Sequence, residues 1–190
     1  MEKFAFIIHP LEVSDISRKF SFAKSLPPAL IERLMQLIPP IKVSHITGIR
    51  SQHDEAEGWF LGCPLTARLM MELPEEYVLK KIIKTAREAQ KLGAKIVGLG
   101  AFTAVVGDAG ETVAKNLDIA VTTGNSYTIA AALDGTKRAA TLMGHNLKGA
   151  KVVVVGATGS IGRVCATILA RDVTDLTLVA RNHDALKAVA

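Results

Sequence analysis

The hydrophobic positions along the chain fall into short apolar bursts separated by stretches of helical spacing. At the N-terminus the burst from Phe4 to Ile8 is halted by His9 and Pro10, which predicts a β-strand. A helix is expected around Leu26 to Leu37, opened by Pro27 and Pro28, and a second apolar-alternating stretch follows Pro39 and Pro40, at Ile41 to Ile49. Patterning is weakest before about residue 60 and sharpens at Pro74. There Glu75 and Glu76 sit near the positive end of a helix on which Val78, Leu79, Ile82, Ile83, Ala86, Ala89 and Leu92 recur at helical spacing, and Gly93 supplies the stop. The run from Ala94 to Val106 is apolar but too rich in glycine for a helix, so it reads as a buried strand and the turn that ends it. A short helix around Thr112 to Leu117 leads to another strand, Asp118 to Thr122, and then to a long helix carrying Ile129, Ala132, Leu133, Ala140 and Met143, with Gly144 able to cap it. Strand and helix in quick alternation predict parallel β-α-β units, hence an α/β fold.

Asn146 to Gly149 is a turn and the best candidate for a boundary, giving an N-terminal α/β substrate or catalytic domain over 1–148 and a second domain from 149 to 190. The second opens with Lys151-Val-Val-Val-Val155, whose four β-branched residues suit a central parallel strand buried on both faces. Directly after it come Gly156, Ala157, Thr158, Gly159, Ser160, Ile161 and Gly162, and then a helix with Ile161, Val164, Cys165, Ile168 and Leu169 on one face. Strand, glycine turn and amphipathic helix together are the context a dinucleotide fingerprint requires. Gly156 permits the tight turn, Gly159 lets the backbone approach a pyrophosphate, and Gly162 lets the helix pack closely, its N-terminus offering free amides to phosphate. The following strand, Leu176 to Ala180, ends at Arg181 and Asn182. An NAD enzyme places a carboxylate there, whereas an arginine suits a 2′-phosphate, so the expected cofactor is NADP(H). The segment 151–190 thus reads as the first β-α-β of a Rossmann NADP-binding domain, incomplete at Ala190.

Other segments offer chemistry with a plainer explanation beside it. Thr122, Thr123, Gly124 and Asn125 lie where a parallel strand gives way to a helix. Capping by Asn125 or Ser126 explains them, and so does a position on the nicotinamide or substrate side of the cofactor crevice. The turn at Gly98 to Thr103 invites the same choice between packing and ligand. Cys165 shares the spacing of its apolar neighbours and is core; Cys63, between Gly62 and Pro64 on irregular backbone, is a weak candidate nucleophile with no histidine near it in sequence.

Composition narrows the classes. With 49% hydrophobic and 22% charged residues over 190 positions, the chain has an ordinary globular composition. The N-terminal apolar burst is too short for a signal segment or a membrane span, which predicts a cytoplasmic protein. Two cysteines a hundred or so residues apart and five scattered histidines imply no disulfide framework and no metal site. The net charge of +5 gathers on the helix bearing Lys80, Lys81, Lys84, Arg87 and Lys91 and around Lys137 and Arg138. This is either a solvated face or a docking surface for an acidic partner. Without aromatic interleaving it does not point to nucleic acid.

Four segments, Leu99 to Thr103, Thr122 to Thr128, Val155 to Gly162 and Val179 to Asn182, resemble the long-chain acyl-[acyl-carrier-protein] reductases of cyanobacteria and their bacterial relatives. The resemblance implies NADPH-dependent reduction of an acyl thioester to a fatty aldehyde, an acidic acyl carrier protein as partner, and a cysteine that carries the acyl group. That cysteine belongs to the region after the Rossmann opening and has no counterpart here, which leads us to expect a truncated chain, inactive on its own. A shikimate-dehydrogenase-like or pterin-linked NADP dehydrogenase, and a non-catalytic fragment, are the alternatives on the same plan.

Overall fold

The N-terminal burst forms β1 (Glu2–Ile8), and its alternation organises the first sheet, since Ala5 and Ile7 are buried while Phe6 keeps 38% of its surface exposed. In the computed structural model, which describes residues 2–190, the other strands of that sheet are β2 (Ile41–Arg50), β3 (Glu55–Gly62), β4 (Ile96–Leu99) and β5 (Ala120–Thr122). The order is β2-β3-β1-β4-β5; β1 runs parallel to β3 and β4, β4 parallel to β5, and only β2 is antiparallel.

One face of the sheet is covered by α4 (Glu75–Lys91), which lays Val78, Ile82, Ala86 and Ala89 on Ala5, Ile7, Leu61, Val97 and Leu99. Each aliphatic side chain buried this way contributes roughly 1.5–3 kcal/mol. Pro74 precedes the helix, two glutamates occupy its first turn, and Gly93 at φ +82 lets the chain leave it. On the opposite face glycines make room for aromatic rings. A Cβ at Gly98 would fall 2.4 Å from the Phe6 ring, and one at Gly58 would fall 2.6 Å from that of Phe4.

Three elements go unread in the sequence: α1 (Val13–Lys19), β3 and α3 (Ala67–Glu72). β3 opens on Glu-Ala-Glu-Gly, with no apolar alternation to announce it. α1 and α2 (Pro28–Met35) share a small core of Ala23, Ile31 and Met35. Glu32 of α2 is buried but satisfied, accepting from Thr66 Oγ1 at 2.9 Å and pairing with Arg68. α5 (Glu111–Lys115) follows β4.

The chain divides into two compact units, one running to Thr123 and the other Gly124–Ala190. The second comprises α6 (Asn125–Leu142), β6 (Lys151–Val155), α7 (Ser160–Leu169), β7 (Asp175–Val179) and α8 (His183–Lys187). β6 and β7 pair in parallel from Lys151↔Asp175 to Val155↔Val179, a Rossmann-like β-α-β. Ile129 and Leu133 of α6 meet Leu169 of α7 over Val152, Val154 and Leu176. The expectation that β6 is buried on both faces fails, because Val153 is 56% and Val155 79% exposed. Among the described residues β6 pairs with β7 alone, and the unit's apolar cluster gathers on the face of Val152 and Val154. No helix among the described residues is long and apolar enough to cross a membrane.

Candidate functional site

The glycine turn of the second unit has separate geometric demands at each glycine. Gly156 adopts φ +78, a conformation L side chains avoid. The amides of Gly156 and Ala157 both donate to the Val179 carbonyl, at 2.8 and 3.1 Å, which stitches the turn to the end of β7. A Cβ at Gly162 would fall 2.3 Å from the Gly156 carbonyl oxygen, so the first turn of α7 can lie against the turn only as glycine. A Cβ at Gly159 would lie 3.3 Å from the Gly156 carbonyl oxygen, a tight approach to backbone. Gly159 is the N-cap of α7 and no side chain caps the helix. Its first-turn amides therefore remain free to receive an anion.

Arg181 is exposed, two residues beyond the Val179 carbonyl that holds the turn, and makes no ion pair among the described residues. Asn182 has a structural task, its Oδ1 accepting from the Ala185 amide at 3.0 Å as the N-cap of α8. Cys165 packs against the core of this unit, as its spacing predicts. The Thr-Thr-Gly-Asn run lies where the two units divide. Gly124, at φ +73, is the N-cap of α6, which corrects the expectation that Asn125 or Ser126 caps it. Asn125 is instead the first helical residue, and its Nδ2 donates to Ser160 Oγ at 3.2 Å. The starts of α6 and α7, and with them two separately predicted site segments, are thereby brought together.

In the first unit the carboxyl ends of β1, β3 and β4 converge on a residue that the sequence does not single out. His9 Nδ1 lies 2.9 Å from the Pro10 carbonyl oxygen, and the Phe102 amide donates to His9 Nε2 at 3.2 Å. A carbonyl can only accept and an amide can only donate, so these partners fix a neutral imidazole with its proton on Nδ1. Burial lowers the His9 pKa, partly offset by the Pro10 bond. The turn it holds is Leu99 to Thr103: Gly100 donates to the Ile7 carbonyl, Ala101 sits at φ +48, and buried Thr103 donates to the Gly100 carbonyl at 2.7 Å. Leu99 and Thr103 anchor the turn in the core while Ala101 is exposed, and a place immediately after β1, beside a glycine-rich turn, is the available signal for His9.

Cys63 is fully buried just past β3, its amide donating to the Ile8 carbonyl at 2.9 Å. Burial pushes the thiol up to about 12, despite a hydrogen bond with Thr85. At neutral pH it holds its proton and meets no solvent, so the geometry gives Cys63 no standing as a nucleophile. Beside it, a cleft of about 250 Å³ opens at the ends of β1 and β3, walled by Ile16 and Phe20 of the α1 segment, Met35, and Ile41 and Val43 of β2.

Of the cations on α4, Lys80 pairs with Glu76 and Lys91 with Glu88, while Lys81 donates to the Gln36 carbonyl and so ties α4 to the end of α2. Lys84 and Arg87 are exposed without an ion pair. Lys137 pairs with Asp172. No cluster of three His, Cys, Asp or Glu among the described residues is placed to hold a metal.

Fold and sites define the class as an α/β protein built on two mostly parallel sheets, each ending in a glycine-bearing turn. Within that class the chain is distantly related to the long-chain acyl-[acyl-carrier-protein] reductase of Synechococcus elongatus. The two are 32% identical over 181 residues, covering 87% of this chain and 48% of that protein. It is also similar to the aminotransferase PigE of Serratia, 28% identical over 169 residues, covering 84% of this chain and 19% of that protein. The chain spans about half the length of the first relative and a fifth of the second. No family model matches. A crystal structure of an aspartate racemase homologue from Pyrococcus horikoshii covers 100% of this chain and 68% of its own at a TM-score of 0.39 and 13% identity, too loose a likeness to argue from.

Proposed function

We propose that this chain supplies the NADP-binding turn of an oxidoreductase that reduces a fatty acyl thioester to an aldehyde. The observation that carries the reading is the Gly156–Gly162 turn. Its first glycine requires a positive φ, its last excludes a Cβ, and the uncapped α7 follows. That combination leaves backbone amides free in front of the turn and no side chain over them, as a pyrophosphate requires. Arg181 is the group to meet a 2′-phosphate, with charge-assisted hydrogen bonds. Bound there, NADPH would supply a hydride to the thioester carbon. The acyl thioester is suggested by the activity for which the Synechococcus relative is named. An acidic carrier protein would meet Lys84 and Arg87, the exposed α4 cations not already paired. The second unit, Gly124–Ala190, is proposed as the nucleotide-binding one, with the segment from residue 149 as its Rossmann opening. Gly124 and Asn125, tied to Ser160, are proposed to flank the nicotinamide side.

Titrating the protein with NADPH and NADH tests the reading. Wild type should prefer NADPH, and Arg181→Asp should reverse the preference, because the carboxylate repels the 2′-phosphate and accepts from a ribose hydroxyl. An unchanged preference in the variant would remove Arg181 from the site.

A further inference from the structure

α1, the turn at Ser21–Ser25 and α2 form a small lobe, and α2 buries only one of its faces there. Ile31 and Met35 enter the core of the lobe with Ala23, and Glu32 on the same side meets Thr66 and Arg68. Leu30, Leu34 and Leu37 fall on the opposite side, within about 60° of one another at the 100° per residue of a helix. They are 42, 46 and 78% exposed. Leu37 follows the helix in a turn where its amide donates to the Leu34 carbonyl at 3.0 Å, which keeps it in line with the other two. A single exposed leucine is ordinary, but a contiguous stripe of three is a surface built for contact.

The stripe is held outward. Tyr77 Oη and Lys81 Nζ, both on α4, donate to the Gln36 carbonyl at the end of α2, and the buried Glu32 fixes the inner face. Turning α2 to bury the leucines would break these bonds and expose Ile31 and Met35. None of the three leucines lines the cleft at the carboxyl ends of β1 and β3, so the stripe is a separate surface.

The uncommitted charges of the lobe have one sign. Arg33 sits at the margin of the stripe, and Lys19 and Lys24 belong to the segment that packs beneath α2; all three are exposed and make no ion pair among the described residues. The acids are occupied, for Asp15 accepts from the Leu11 and Glu12 amides and faces Arg18, Glu12 accepts from Ser14, and Glu32 is buried. Leucines edged by unpaired cations complement a layer that is apolar beneath an anionic surface, which is the boundary of a bilayer bearing acidic phospholipid. The centre of a protein interface carries aromatic and hydrogen-bonding anchors, and the stripe has neither.

We propose that α2 docks the protein peripherally on a bilayer containing anionic phospholipid, the three leucines entering the acyl boundary while Arg33, with Lys19 and Lys24 of the same lobe, is drawn to the headgroups. This goes beyond the nucleotide reading and uses none of its residues, so the two stand or fall separately.

The experiment is flotation of the intact protein with vesicles of phosphatidylcholine alone and of phosphatidylcholine mixed two to one with phosphatidylglycerol. Wild type should float with the mixed vesicles, far less with phosphatidylcholine, and should be released by raised salt, which screens surface charge. Arg33→Glu should weaken binding about tenfold or more, a cation at such a surface being worth about fivefold and its reversal adding repulsion. Leu34→Gln with Leu37→Gln should weaken it at least tenfold, and because both positions are exposed the pair should unfold in urea at the wild-type midpoint. Leu37→Trp adds a second indole to the buried Trp59, and its emission should move to shorter wavelength on the mixed vesicles. Lys95→Glu, an exposed cation just before β4, should float as wild type. No flotation, equal flotation with both kinds of vesicle, an unshifted Leu37→Trp emission, indifference to the leucine pair, or an equal loss in Lys95→Glu would overturn the proposal. Sedimentation without vesicles closes the other routes. Self-association of wild type that the leucine pair abolishes would give the stripe to a second copy, and stripe-dependent binding of acyl carrier protein without vesicle binding would give it to an acidic protein; either would overturn the bilayer assignment.

Discussion

At the scale of single residues, one atom decides the geometry at a few positions. Gly162→Ala would drive a methyl to within 2.3 Å of the Gly156 carbonyl. Since that partner is backbone, the turn must shift, and we expect a loss of about 1–3 kcal/mol in urea unfolding with weakened NADPH binding. Wild-type stability in that variant would show the close approach to be absent in solution. Cys63, with its thiol pushed up to about 12 and no exposed surface, should resist iodoacetamide at pH 8 in the folded protein and react once urea unfolds it. Rapid labelling of the folded protein, located by mass spectrometry, would contradict the burial. His9 predicts a pH dependence opposite in sign to that of a histidine held charged in an ion pair. Its folded value lies below the ordinary 6.5, so the unfolded chain takes up the proton more readily. Stability is then full above that value and is lost as the pH falls through 6.5 towards the lowered folded value. His9→Gln should flatten the difference between unfolding midpoints at pH 7.5 and pH 5. The glycines were readable because each carries a backbone demand. His9 was not, since its meaning comes from Phe102, a partner that only folding brings near.

At the scale of elements, reading succeeded where a helix or strand buries one clear face and failed where burial depends on neighbours. α4 and β1 show their inward residues in the sequence itself. β3 does not, because its polar opening residues include Glu57, which sits among Lys3 and His45, and Gly58, which sits under Phe4. β6 misled for the converse reason. A run of valines fits a doubly covered strand, but only Val152 and Val154 are packed. The link between α2 and α3 is likewise invisible before folding, being the buried Glu32 shared by Thr66 and Arg68. Glu32→Ala should cost about 1–3 kcal/mol by removing an acceptor from two donors, one of them buried. An unfolding midpoint indistinguishable from wild type would show that α2 is held by its apolar contacts alone.

At the scale of the whole molecule, the α/β class and the order of elements from Pro74 onward follow from periodicity, because the strands there are short and β4, β5 and β6 each run into a glycine turn. The long helix that the sequence attached to the N-terminal part shares its apolar contacts with α7 instead, a pairing that local pattern cannot reveal. The central claim is that the Gly156–Gly162 turn receives the pyrophosphate of NADPH. Chemical-shift mapping of backbone amides during an NADPH titration tests this most directly. The account predicts saturable shifts at Gly159, Ser160, Ile161 and Gly162, together with Arg181, and the loss of the Arg181 shift when NADH replaces NADPH. Shifts that avoid the turn, or no saturable shifts at all, would contradict it.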